Sequence, residues 1–324
     1  MAKALFITTK NLDYLRNVQE IEILKQKYGQ VDVIGSSAKK YSQRLKTVYL
    51  ELMSIDASVY EEVFVGFAPQ LILPFFRKFK GTRLTIDFFI SVYDTLVHDR
   101  KKFRDKGLAS RIFHHIDQAT LRAADRVICD TNAHGDFFSA EFNIPRAKIE
   151  TLYLSADTSI FYPDESVEMD PVFTVLYFGS ILPLQGVEII LEALKNFEND
   201  DTIRFVIIGP MKKNAPKPIQ ENIIYHDWLD QVSLAREINK SHLALAGHFN
   251  GTVQKARRTI PGKAYIYEAC HKPMILGDNP ATRELYHEGD PGIYFCEMSN
   301  PQALADLISS IRDRHYENKG NAHA

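Results

Sequence analysis

Short apolar runs punctuate this chain at regular intervals, and they constrain its fold more than any other feature. In the first half they are Ala4–Thr8, Val31–Gly35, Val63–Phe67, Leu84–Phe88, Val127–Asp130 and Thr151–Ser155. In the second half they are Val172–Gly179, Phe205–Gly209, Leu243–Gly247, Met274–Gly277 and Ile293–Phe295. Such runs are near-continuous rather than alternating, which is how strands covered on both faces read. Helical periodicity lies between several of them. Leu15–Tyr28 and Arg111–Ala124 are the clearest, and Val187, Ile190, Leu191, Leu194 and Phe197 recur at helical spacing. Strand, helix, strand repeated in both halves predicts an α/β chain with two doubly wound parallel sheets.

The two halves part in Thr158–Pro171, which has two prolines, four acidic residues and no apolar period. The expected domains are residues 1–163 and 164–324, two Rossmann-like units facing across a cleft. Pro301–Arg314 reads as the last helix, and Tyr316–Ala324 as a polar, fraying tail. Length allows two domains: 324 residues, 45% hydrophobic, with a formal net charge of −2. That balance gives no field that would gather nucleic acid. Cys129, Cys270 and Cys296 are widely spaced, cannot all pair and form no metal spacing, which fits a reducing cytoplasm. The apolar run at Ala4 is too short for a signal-peptide core, and no run approaches a membrane span.

The chemistry concentrates in residues 251–288. Lys255, Arg257, Arg258 and Lys263 place four cations within nine residues. Pro261-Gly262 opens a helix from about Lys263 to His271, Pro273–Gly277 is a buried strand, and Asp278-Asn279-Pro280 opens another helix. Pro is suited to a helix start. Free N–H groups and the positive end of the dipole favour an anion there. A lysine at that positive end suggests a strong anion between them, and four nearby cations suit a pyrophosphate. Glu268 shares a helix face with Tyr265 and Ala264; its carboxylate could accept from two neighbouring sugar hydroxyls. Strands ending in Gly179-Ser180, Gly209-Pro210 and Gly247-His248 let a ligand approach the backbone.

These residues resemble the nucleotide-sugar site of GT-B glycosyltransferases, specifically glycosyltransferase family 4, group 1. The matching positions are Pro261, Lys263, Glu268, Ala269, Lys272, Pro273, Arg283, Glu284 and Leu285. Tyr177–Val187 resembles the first loop of that family's donor domain, and Ala124–Thr131 the last strand of its acceptor domain. The chain departs from the pattern twice. Ile260 stands where many members have a first glutamate, and Gln185 where many have a lysine.

The resemblance implies a retaining transfer of a hexose from a UDP- or GDP-sugar to a glycan or lipid-linked acceptor, in cell-surface polysaccharide or glycolipid synthesis. The expected donor residues are Gly179, Ser180, Gly209, Trp228, Lys255, Arg258, Lys263, Tyr265 and Glu268. Lys263 and Arg258 would carry the leaving diphosphate, Glu268 the ribose, and Trp228 the base. On the acceptor side Ser91, Asp94 and His98 would bind the acceptor, with Asp94 and His98 placed to orient or deprotonate the attacking hydroxyl. No Asp-x-Asp triplet occurs, so no metal and no cofactor is expected. The alternative is a catalytically silent GT-B subunit that binds a nucleotide sugar or a partner protein.

Leu71–Arg111 carries ten basic residues against four acidic ones, with Leu71–Phe76 just before the first basic cluster. Apolar residues beside basic ones suit an anionic membrane surface. The expectation is a cytoplasmic protein, peripheral on the inner face of a membrane.

Overall fold

In a computed structural model, which describes residues 2–211 and 217–322, the chain forms two compact units, Met1–Ser155 and Ala156–Ala324. The sequence put the division at 163/164. The intervening segment is tied to the second unit by hydrogen bonds: Asp164 N donates to Asn239 Oδ1 and Asn239 Nδ2 donates to the Tyr162 carbonyl.

The first unit has six strands, β1 (Lys3–Ile7), β2 (Gln30–Ile34), β3 (Glu62–Val65), β4 (Arg83–Asp87), β5 (Arg126–Cys129) and β6 (Ile149–Thr151). Its helices are α1 (Leu15–Tyr28), α2 (Tyr41–Ser54), α3 (Leu108–Ala123) and α4 (Asn132–Phe142). The sheet is parallel, in the order β2-β1-β3-β4-β5-β6. The second unit has β7 (Phe173–Phe178), β8 (Ile203–Ile208), β9 (Ile223–His226), β10 (Leu243–Gly247), β11 (Met274–Gly277) and β12 (Ile293–Cys296). They are parallel in the order β12-β11-β10-β7-β8-β9. Its helices are α5 (Val187–Leu194), α6 (Gln231–Lys240), α7 (Gly262–Ala269) and α8 (Pro301–Ala322).

Alternation along a strand sends side chains to both faces of a sheet. In β1, Leu5 and Ile7 join the cluster with Val48, Leu52, Phe88, Phe138 and Phe142, while Ala4 and Phe6 join Leu24, Tyr28, Phe64 and Ile128 on the other face. This double burial makes the strand sequence continuously apolar. In the second unit Val175, Tyr177, Ile190, Leu194, Phe205, Leu245 and Ile308 form one cluster.

The differences from expectation lie where burial is partial. Strand β9 is an edge strand with only Ile223 fully buried, so its apolar signal is short. Helix α2 buries only Arg44, Val48 and Leu52, leaving a weak stripe. After Asp278-Asn279-Pro280 the chain forms a single 3₁₀ turn, Thr282–Glu284, in place of the expected helix. Helix α8 continues to Ala322, so most of the expected fraying tail is helical; residues 323–324 lie outside the described part.

Candidate donor site and acceptor-side residues

In a parallel sheet every strand delivers its carboxyl end to the same edge, where open α/β sheets bind ligands. In the second unit that edge receives Gly179 and Ser180 after β7, Gly209 after β8, Trp228 after β9, and the basic loop after β10. Gly209 has φ +159, and a Cβ built there would lie 2.1 Å from the Gly179 carbonyl oxygen. Only glycine allows the two strand ends to meet this closely. Gly179 has φ +143, and a Cβ on it would lie 3.2 Å from Lys263 Nζ. Gly209 thus lets the two strand ends meet, and Gly179 leaves its backbone bare against the lysine Nζ.

Lys263 is at the second position of α7 and only 5% exposed. Its Nζ donates to Gln185 Oε1 at 2.6 Å and lies 4.0 Å from the centre of the Tyr177 ring. No carboxylate among the described residues is ion-paired with it, and burial drives its pKa well below the ordinary lysine value. A buried cation with a neutral amide and an aromatic face as partners is a site short of negative charge. Gln185, which stands where the family pattern has a lysine, holds Lys263 in place instead of sharing its charge.

The loop after β10 is pinned beside this lysine. His248 is buried, and its pKa is pushed down to about 3 by desolvation and then by Lys263, with Lys255 acting the same way. The ring is therefore neutral. Its Nδ1 lies 3.4 Å from Thr259 Oγ1, which donates at 3.1 Å to the Lys255 carbonyl. Arg258 is half-buried and closes the 3₁₀ turn Gln254–Arg257. Tyr265 is buried in α7. Ile260, at the position of the expected first glutamate, is buried as an ordinary core residue. His248 was not singled out from sequence; a histidine after an apolar strand carries no spacing signal of its own.

Trp228 is 75% exposed, which excludes a core role and, among the described residues, leaves its indole uncovered at the carboxyl edge. Glu268 is not brought to that edge. Five residues along a helix is about 7.5 Å of rise and well over a third of a turn beyond one full turn, so Glu268 lies at the far end of α7 from Lys263. It accepts from the Tyr286 hydroxyl at 2.9 Å. It lines a hollow of about 550 Å³ with Lys272, Met274, Asp290 and Ile293, where β11 and β12 begin. The expected ribose contact therefore has no geometric support: helix direction carries Glu268 toward the amino ends of the strands.

In the first unit the expected acceptor residues follow β4. Ser91 is buried; its hydroxyl donates to Asp117 Oδ2 at 2.6 Å and accepts from Asp94 N at 2.9 Å. Asp117 also accepts from Tyr93 N and Gln70 Nε2. Ser91 is thus occupied as a loop anchor. Asp94 is buried in the first turn of a six-residue π-helical segment, Asp94–Asp99. His98 is exposed, its ring edge-on to Tyr93 with centres 5.0 Å apart. Asp87 forms a buried bidentate pair with Arg16, at 2.6 and 2.8 Å.

The two parts of the expected membrane segment separate. Ile72, Phe76 and Phe79 are buried, and Leu73 and Phe75 pack against them, so Leu71–Arg83 offers no apolar insert. Phe103, Leu108 and Ile112 are exposed, among the exposed Arg100, Lys101, Lys102, Arg104, Lys106 and Arg111. No helix among the described residues is long and apolar enough to cross a membrane, and none of their His, Cys, Asp and Glu side chains group as metal ligands.

Two doubly wound sheets, the second carrying a cation-lined, glycine-opened edge, define the class: an α/β enzyme of the GT-B fold. Residues 172–313 match the family described as Glycosyl transferases group 1, so the second unit carries a glycosyltransferase domain. Among solved structures, sucrose-phosphate synthase from Thermosynechococcus elongatus is similar with a TM-score of 0.69 at 13% identity, over 96% of this chain and 90% of that one. HepE from Anabaena, in complex with UDP and glucose, has a TM-score of 0.64 at 13% identity, covering 96% and 89%. An α-glucosyltransferase in complex with UDP and a 13-mer DNA has a TM-score of 0.64 at 11% identity, covering 98% and 93%. No curated protein matches at the sequence level.

Proposed function

We propose that the enzyme moves a hexose from a UDP- or GDP-sugar to a hydroxyl of a glycan or lipid-linked acceptor, with retention of anomeric configuration. The observation that carries this reading is Lys263, buried without a counter-charge against the bare backbone of Gly179. A diphosphate supplies the missing negative charge. As the glycosidic bond breaks, charge grows on the leaving phosphate, and a pre-placed ammonium in a dry site stabilises it without reorganisation. The cations Lys255 and Arg258 reinforce that role, and Trp228 offers a face to the base. UDP in the HepE and α-glucosyltransferase complexes favours a uridine donor. Because Lys263, Lys255 and Arg258 together supply positive charge to the diphosphate, the reading includes no metal and no cofactor.

On the acceptor side, Asp94 and His98 remain the proposed groups for orienting the attacking hydroxyl. The exposed Phe103, Leu108 and Ile112 with their basic neighbours support a peripheral position on the inner, anionic face of a membrane, where lipid-linked acceptors lie. The reading takes no nucleic acid as a partner. Calorimetry with UDP and GDP in chelator tests the donor half: micromolar binding of one of them supports it, and binding that needs Mn²⁺ or Mg²⁺ overturns the metal-free claim. Turnover of the matching nucleotide sugar with and without glycan acceptors separates a transferase from a silent binding subunit.

A further inference from the structure

Tyr177, near the carboxyl end of β7, carries a polar group that the core does not use. Its side chain is fully buried in the apolar cluster of the second unit. Among the described residues its hydroxyl has no hydrogen-bond partner. A buried hydroxyl without a partner is a net loss of stability. Phenylalanine fills nearly the same volume without that loss, and Phe173, four residues earlier on the same strand and in the same cluster, is one. An orphaned buried donor in a native fold calls for a reason beyond packing.

The hydroxyl reaches toward the end of its own strand. Residues two apart on a strand share a face, and the Tyr177 hydroxyl lies 3.5 Å from the position a Cβ on Gly179 would take. Lys263 Nζ lies 3.2 Å from the same position. The space left by the missing side chain is therefore faced by one ammonium and one phenol. Gly179 is itself partly exposed and Ser180 is exposed, so that space adjoins the surface of the carboxyl edge. The two groups do not satisfy each other. Lys263 Nζ meets the face of the Tyr177 ring, 4.0 Å from its centre, and donates to Gln185 Oε1. Burial, and then the charge of Glu188, raises the phenol pKa, so the hydroxyl keeps its proton and is a donor for an incoming oxygen.

We infer that Tyr177 is a second donor to the diphosphate, acting with Lys263 in the gap that Gly179 leaves. One phosphate oxygen lodged there accepts from both. The site lacks the lysine that the family pattern places at Gln185, and a neutral donor takes over part of that role. As the bond from the anomeric carbon to the leaving oxygen breaks, its electron pair passes to the phosphate. The Tyr177 hydrogen bond strengthens with that growing charge, and the phenol keeps its proton. The inference rests on the reading of this edge as a diphosphate site and adds to it a residue that the core otherwise encloses.

The test compares the full chain with its Tyr177→Phe variant, by calorimetry with UDP, GDP and inorganic pyrophosphate and by thermal melting without ligand. Phenylalanine keeps the ring face beneath Lys263 and removes only the oxygen. Without ligand the variant should melt at or above the parent's temperature, because the orphaned group is gone. Its affinity for the nucleotide that the parent binds should fall about tenfold or more, and its affinity for pyrophosphate by a similar factor. Pyrophosphate has neither base nor sugar, so a disturbance of base or ribose packing would weaken the nucleotide alone. A variant that binds both ligands as the parent does, or that melts lower and loses only nucleotide, overturns the inference and leaves the diphosphate reading standing. A parent that binds neither nucleotide nor pyrophosphate overturns the diphosphate reading, and the inference falls with it.

Discussion

Replacing Lys263 with methionine should move stability and binding in opposite directions. The side chain is almost fully buried, and its partners are a neutral amide and an aromatic ring. Its pKa in the empty folded protein lies well below the unfolded value, near 10.4 for a free lysine. Between those two pKa values the unfolded chain binds the proton and the folded chain does not. Stability therefore falls as pH drops through that window, and the deficit is fully present below the folded pKa. It vanishes above the unfolded pKa, where both states are neutral. Methionine has similar length and no charge to desolvate. Lys263→Met should accordingly raise the Tm of the empty protein at neutral pH, by roughly 2–4 °C for each kcal/mol recovered in a domain of this size. The gain should shrink toward pH 10. Gln185 loses its partner but is half-exposed and can turn to water.

The same substitution should damage nucleotide binding. A charge-assisted hydrogen bond to a phosphate is worth about 1.5–3 kcal/mol, so UDP affinity should fall roughly ten- to hundredfold. At a pH above the folded pKa of Lys263, binding to the parent protein should take up a proton, because the diphosphate restores the charge on Lys263. Calorimetry in buffers of different ionisation enthalpy reads that uptake, and scanning calorimetry across pH 6–10 reads the stability. A variant that melts lower than the parent and binds UDP equally well would refute the reasoning, since Lys263 would then be a packing residue.

Glu268→Ala should leave UDP affinity within about twofold, well short of the loss a bidentate hydrogen bond to ribose would produce; a tenfold loss by calorimetry would return Glu268 to the ribose. Trp228 is the only tryptophan, so UDP binding should lower its acrylamide quenching, and unchanged quenching at saturation would place the base elsewhere. Vesicles rich in anionic lipid should sediment the protein at low salt and release it at high salt, with each basic residue near the surface contributing about 1 kcal/mol. Leu108→Asp with Ile112→Asp should abolish sedimentation, whereas reversing Arg77 and Lys78 should matter less; equal recovery on neutral lipid would remove the membrane from the reading.

The order of most strands and helices, and the glycines at the carboxyl edge of the second sheet, were legible in the sequence because they depend on local signals. A doubly buried strand needs an uninterrupted apolar run, and this requirement sets the positions of β1, β7, β8 and β10. A close approach of backbones needs glycine, and Gly179 and Gly209 stand where it occurs. Lys263 drew notice in the sequence because a cation at a helix N-terminus is locally unfavourable; its burial came only from the fold. The tertiary structure alone decided which polar residues were already occupied. Ser91 read as a free hydroxyl until Asp117, twenty-six residues on, took it. Glu268 read as a ligand until helix direction carried it to the other end of the sheet. Leu71–Phe76 read as a membrane insert until the core absorbed it, while Leu108 and Ile112 were left outside. Local signals record what a segment must do for its own backbone, and which side chains remain free depends on partners distant in sequence.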